Sequence, residues 1–303
     1  MNTVKPLPSL LVSNLICMSA MLVWATAFPA AEILLPIMPP LPLTALRLGL
    51  AVAFLFVLWV VIEGFAPLKT APWRSGLLIG GLGFGTGSLC LIYAQALSDP
   101  VTVAVISATM PVVGILLEVL FDGRPLQRWL VAGLVLSVTG GVLAYANGLS
   151  RFGLGIGALL AFISVSVFVV SSRLTVKHLP NMSSIGSSTV TLAGGAIAVF
   201  IATSFANFAG GPTVNWAAFS PKEIVTALIY GFGSLGLSQV LWLAAVRGLG
   251  VGIASMHINA APFYVMMFML ALGSAWNWWQ ALGAAVVAVA VVFAQSGPNW
   301  QKA

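Results

Sequence analysis

The chain has 303 residues, of which 60 % are hydrophobic and only 6 % charged, against roughly 25 % charged in an ordinary soluble domain. At a mean hydropathy of +1.08 there is too little polar surface to solvate a globule of this size, which excludes a soluble enzyme and equally a disordered chain. The net charge of +6 comes from 12 Lys+Arg against 6 Asp+Glu; the basic residues are scattered singly, so they read as membrane-topology signals and not as a nucleic-acid surface.

A bilayer core takes about 20 apolar residues per helix. Cutting the chain at charges, Pro/Gly clusters and Asn/Asp predicts ten spans, at 10–31, 43–62, 77–97, 101–121, 129–146, 154–172, 184–205, 224–246, 251–272 and 279–293. The fold class is therefore an all-α polytopic membrane protein; a membrane barrel would instead alternate over segments of about ten residues. Two connections are very short. Asp99-Pro100 turns because a proline disfavours helix at the residue before it, and Gly248, Gly250 and Gly252 offer permissive backbone. The first apolar stretch is too long for a secretory signal. Cys17 and Cys90 fall inside apolar runs and read as small buried hydrophobes.

With the N-terminus inside, the inner segments hold Lys5, Lys69, Arg74, Arg124, Arg128, Arg173, Lys177, Arg247 and Lys302, and the outer ones Arg47, Arg151 and Lys222. Positive charge stays inside, so the orientation is N-in, C-in. Trp73, Trp129, Trp276, Trp278 and Trp279 fall at the interfaces, as belt residues do. The longest loop, 206–222, is expected outside and mobile.

Shifted by 150 residues, the sequence matches itself: Gly81 meets Gly231, Gly83 meets Gly233, Ser88 meets Ser238, Val101 meets Val251, Gly123 meets Gly273, Trp129 meets Trp279 and Gly133 meets Gly283. Pro111 and Pro262 align within one residue. The predicted organisation is two five-span repeats, 1–150 and 151–303, forming one membrane unit. Five is odd, so the second copy enters the membrane inverted. Inverted repeats build a site near the midplane and expose it to each side in turn.

Charges inside a membrane are costly and functional by default, and here they are few. Glu32 and Arg47 are expected to pair at the outer side, and Glu118 and Asp122 to cluster with Arg124 and Arg128 at the inner one. Glu63 and Arg173 can snorkel. No carboxylate falls at mid-span, which argues against a proton-coupled carrier of cations. His257 reads either as a hydrogen-bonded interior histidine or as a proton or substrate group. Neutral polar and aromatic groups are richer. Ser238, Gln239 and Trp242 share a helical face, as do Ser88 and Gln95; Tyr93 is displaced from them. Trp24, Thr26, Ser164, Ser166, Ser171 and Asn259 complete the set. Trp24, Ser88, Tyr93, Gln95, Ser164, Gln239, Trp242, His257 and Asn259 are the candidate lining of a central cavity, suited to a mostly apolar ligand with a few polar groups. Interhelical hydrogen bonding is the competing reading for each of them. Pro111 and Pro262 are expected to kink the fourth and ninth spans as moving gates and to free carbonyls toward the cavity. Gly231-Phe-Gly233-Ser-Leu-Gly236 matches a dinucleotide fingerprint literally, but without a preceding strand or a following acid it reads as close helix packing. Asn181-Met-Ser183 is a formal glycosylation sequon on the inner side. No metal or cofactor set is present: His178 and His257 stand apart, and no HxxxH or GxSxG occurs.

The five-plus-five repeat, with Trp24-Ala25-Thr26, Leu46-Arg47-Leu48, Tyr93-Ala94-Gln95-Ala96-Leu97 and Pro111 leading to Phe121-Asp122-Gly123, resembles the EamA-type transporters of the drug/metabolite transporter superfamily. The resemblance covers almost the whole chain. It implies an alternating-access exporter of small organic solutes in a bacterial inner membrane, with a site built by the first, third, fourth, sixth, eighth and ninth helices. The Leu-Gly-Glu that the family often carries after the fourth span is absent: Gly123 is followed by Arg124, and Leu272-Gly273 by Ser274. The aromatic and neutral amino acid exporters resemble the chain most. The expectation is thus a facilitative carrier of such amino acids, acting without cofactor as a monomer in lipid. A proton-coupled multidrug or quaternary-cation exporter is the alternative.

Overall fold

The computed structural model describes residues 9–98 and 100–296. Lys5, Asp99 and Lys302 lie outside the described residues, as does the side chain of Arg151. Among the described residues there are helices and no strand. Eight helical stretches are long and apolar enough to cross a membrane: Leu10–Leu34, Pro40–Glu63, Trp73–Leu97, Thr102–Asp122, Ile156–His178, Ser184–Phe208, Pro221–Ala271 and Trp278–Gln295. Arg128–Leu143 is apolar but shorter.

In chain order the α-helices are α1 (Leu10–Ala25), α2 (Ala27–Leu34), α3 (Pro40–Glu63), α4 (Ala66–Thr70), α5 (Trp73–Ile79), α6 (Thr86–Leu97), α7 (Pro100–Ser107), α8 (Met110–Asp122) and α9 (Arg128–Leu143). They continue as α10 (Ile156–His178), α11 (Ser184–Phe208), α12 (Pro221–Leu228), α13 (Ser238–Met256), α14 (Ala261–Ala271) and α15 (Trp278–Gln295). Wider π turns join α5 to α6 over Gly80–Gly85 and α12 to α13 over Ile229–Leu237.

The ends follow local chemistry. Ser183 caps α11, its Oγ accepting from Gly186 N at 2.9 Å, so the sequon serine serves as a helix cap. Ser220 and Glu223 form a capping box on α12. Gly64 and Gly123 end α3 and α8 at φ 76° and 69°, a region that favours glycine. Trp73, Trp129, Trp278 and Trp279 stand in the first turns of α5, α9 and α15. The connection after α11 is shorter than expected and is not a free loop. It carries a 3₁₀ turn at Trp216–Ala218, and Asn215 N donates to Ile37 O at 3.1 Å.

The helices pack as α9 with α15, α1 with α13, α3 with α11, α6 with α10 and α8 with α13; the first π segment packs on α11 and the second on α3. Glycine permits the closest approaches. A Cβ on Gly140 would stand 2.7 Å from Gly283 O, and one on Gly133 2.6 Å from Ala290 O. Gly231 faces Leu50 with no room for a side chain, so the first glycine of the GxGxxG stretch is a packing contact. Cys17 is buried and Cys90 half-buried, and both are free.

Candidate functional site

The largest buried cluster forms where α1, α8, α10 and α13 converge, around Cys17, Met21, Ile115, Val169, Trp242, Leu243 and Ile253. Trp242, 2 % exposed, lies against Phe168 with centroids 5.8 Å apart, and Phe168 meets Phe84 edge-on at 5.3 Å. Aromatic pairs favour such tilted and edge arrangements. Trp242 Nε1 donates to Ser172 Oγ at 2.9 Å. One turn before Trp242, Gln239 is 4 % exposed and its Nε2 has no partner. A buried amide left unpaired costs about 1–3 kcal/mol, so this nitrogen is the group in the core best placed to gain from a bound acceptor. Phe84, Phe168 and Ser172 were not singled out from sequence. The only signal was the four-residue spacing of Phe168 and Ser172 on one helical face.

The other candidates divide. Ser164 Oγ donates to Gly87 O at 2.8 Å, tying α10 to α6. Ser238 Oγ donates to Ser234 O at 2.7 Å within its own helix, and Ser88 Oγ does the same to Phe84 O at 2.7 Å. Trp24 stands edge-on to Phe28 at 5.3 Å. Tyr93 is half exposed and Gln95 exposed, outside the aromatic cluster. His257 is buried with Nδ1 3.3 Å from Ile253 O. Asn259 is buried and its amide nitrogen is engaged: Nδ2 donates to Ala108 O at 3.1 Å and to Ser137 O and Oγ at 3.0 Å. It pins two helix interruptions together.

Those interruptions correct the expected proline kinks. Pro111 and Pro262 occupy the first turns of α8 and α14, after breaks at Ala108–Thr109 and at a 3₁₀ turn over His257–Ala260. A proline in a first turn gives up a donor that has no intrahelical partner anyway. The Ala108 carbonyl, beside the first of these breaks, accepts from Asn259 Nδ2.

The ionic expectations change as well. Arg47 does not pair with Glu32. It donates through Nε to Tyr230 O at 3.3 Å and through Nη2 to Ser234 O at 3.3 Å and Ser234 Oγ at 3.2 Å, with its guanidinium 4.4 Å from the Tyr230 ring centroid. The π segment starting at Ile229 displaces carbonyls from the α ladder, and Arg47 meets two of them. The inner cluster splits in two. Glu118 pairs with Arg124, both buried, while Asp122 pairs with Arg173, whose Nε is 2.7 Å from Oδ2. Arg128 lies over Trp129 instead. Glu63 accepts from Trp59 Nε1 at 3.2 Å. Among the described residues no group of three or more His, Cys, Asp or Glu could hold a metal ion.

An apolar groove of about 460 Å³ opens beside the core, lined by Leu22, Val23 and Thr26 of the first span, by Leu228, Ile229, Phe232 and Gly233, and by Phe268. Thr26 Oγ1 is turned onto its own helix, donating to Val23 O at 2.7 Å.

The described residues thus form a multi-pass helical bundle with a buried aromatic and amide centre. Residues 11–146 match the EamA-like transporter family. The chain is 21 % identical over 263 residues to "Uncharacterized transporter YyaM" of Bacillus subtilis (strain 168), covering 82 % of each. A solved crystal structure superposes with a TM-score of 0.79 at 20 % identity, covering 94 % of this chain and 96 % of that one, a likeness of fold. The first part of the chain is thus similar to the EamA-like transporter family, and most of the chain is similar to a membrane transporter.

Proposed function

We propose that the chain is a ten-span, N-in/C-in, alternating-access carrier, built as two inverted repeats over 1–150 and 151–303, that exports aromatic and other neutral amino acids down their gradient. The stretch Pro221–Ala271 has 51 residues, about 76 Å as a straight helix against a hydrocarbon core of about 30 Å. Gly250 breaks it at φ 77°, ψ 161°, which supports two crossings in place of one. The packing pairs exchange under the 150-residue shift: α6 with α10 maps onto α13 with α1, and the first π segment on α11 maps onto the second on α3. Two of the basic residues assigned to the inner side make contacts near the C-terminal end of α10. Arg173 meets Asp122, and Arg247 reaches Leu179 O at 3.4 Å and Pro180 O at 3.3 Å.

The observation that carries the substrate reading is the unpartnered Gln239 amide one turn from the Trp242–Phe168–Phe84 stack. A ring to stack and an amide to meet a carboxylate suit an aromatic amino acid. Trp24, Ser88, Ser164, Trp242, His257 and Asn259 belong to this site in the proposal. The cation-efflux alternative calls for a free buried acid. Glu118 is buried but engaged by Arg124 and by Gly252 N.

The test is uptake of labelled phenylalanine, tryptophan, threonine and methyl viologen into liposomes holding the purified protein, with and without a pH gradient. Saturable amino acid flux indifferent to the gradient is expected. Gradient-dependent viologen flux without amino acid flux would replace this reading with the drug antiporter.

A further inference from the structure

The two ends of the bundle are closed by different chemistry. Where α8 ends, the Glu118 carboxylate holds two partners: it pairs with Arg124, and its Oε1 accepts from Gly252 N at 2.9 Å. Gly252 lies in the first turn of the helical arm that restarts after the Gly250 break, so the carboxylate caps that arm. The fit admits only glycine. A Cβ on Gly252 would lie 2.8 Å from Glu118 Oε2, one on Gly250 would collide with Oε1, and one on Gly114 would lie 2.9 Å from Gly252 Cα.

The position 150 residues on from Glu118 is Phe268, which carries no charge and lines the open groove. The glycines at matching positions differ in the same sense. Gly83 is sealed against Ser171, whereas a Cβ on Gly233 would meet nothing within 4 Å. One end is clamped by charge and close packing and the other is parted, as expected of an inverted-repeat carrier caught open toward one side. A buried ion pair is a poor source of stability, and its best-attested use is to fix a register or a switch.

We propose that Glu118 and Arg124 form a latch on the inner gate: by capping the arm after Gly250 they clamp α8 to α13, hold the opposite side parted, and must release for the inner side to open. This rests on the alternating-access reading above.

The full chain in liposomes tests it. In a Cys17→Ala, Cys90→Ala background, Val23→Cys and Gly233→Cys place one thiol on each wall of the groove. Copper-phenanthroline cross-linking then reports how often the groove closes. Glu118→Gln and Arg124→Gln are expected to raise the cross-linking rate about tenfold by shifting the population of the closed groove, and Arg124→Lys to leave it near the parent value. Elution as a single species confirms folding, and either Gln variant alone suffices if the other fails it. If the folded Gln variants cross-link at the parent rate while added phenylalanine changes that rate, the latch is overturned and the carrier stands. If neither the variants nor phenylalanine change it, latch and alternating access fall together.

Discussion

Gln239 and Asn259 are both carboxamides in apolar helices, both nearly fully buried, and only one has partners. Asn259→Leu would strand Ala108 O and the Ser137 groups it now satisfies. A buried group left unpaired costs about 1–3 kcal/mol, so the variant is expected to melt several degrees lower in detergent. Gln239→Leu removes an amide nitrogen that nothing satisfies. Its melting temperature is expected to hold or rise, while amino acid flux falls about tenfold or more, the worth of one hydrogen bond to a charged group. A Gln239→Leu protein that melts early yet transports normally would remove Gln239 from the site. Sequence could nominate both residues, because a polar group in a membrane span is conspicuous. It could not separate them, because the partners of Asn259 lie 122 and 151 residues away. Arg47 illustrates the same limit. Glu32 was its visible partner by sequence, but the groups it meets are backbone carbonyls of a π segment, which side-chain identity does not announce.

At the scale of elements, the apolar runs located the helices well because the length of a crossing is set by the bilayer. The interruptions were harder. Prolines marked their neighbourhood, yet Pro111 and Pro262 begin helices instead of kinking them, since the break falls in the residues before them. The π segments were not legible, because hydropathy does not reveal which carbonyl each amide selects. Glycine spacing was informative where helices touch. At Gly140 a Cβ would sit 2.7 Å from Gly283 O and 2.9 Å from the Val287 side chain, and backbone yields little. Gly140→Ala is therefore expected to lose about 1–3 kcal/mol through overpacking of α9 on α15, read as a lower unfolding midpoint. Gly233→Ala, facing open space, is the matched control and should unfold like the parent.

For the molecule as a whole, the groove beside Gly233 separates a carrier that cycles from a bundle that merely packs. If the two repeats exchange conformations, the second half must at some point seal at Gly233 as the first half is sealed at Gly83 against Ser171. A bulky side chain at Gly233 would fill the roughly 460 Å³ groove with apolar contacts and disturb no existing packing. Gly233→Phe is thus expected to melt no lower than the parent, because the ring gains apolar burial. It should still bind phenylalanine from the outer side, and net flux should fall about tenfold or more because the groove cannot close. Stability and flux moving in opposite directions is the signature of a blocked transition between states, since a merely damaged fold would lose both. Tryptophan-fluorescence binding set beside liposome flux for this variant checks it. Flux at the parent level would mean that the groove is static surface and that any alternation takes place elsewhere in the bundle.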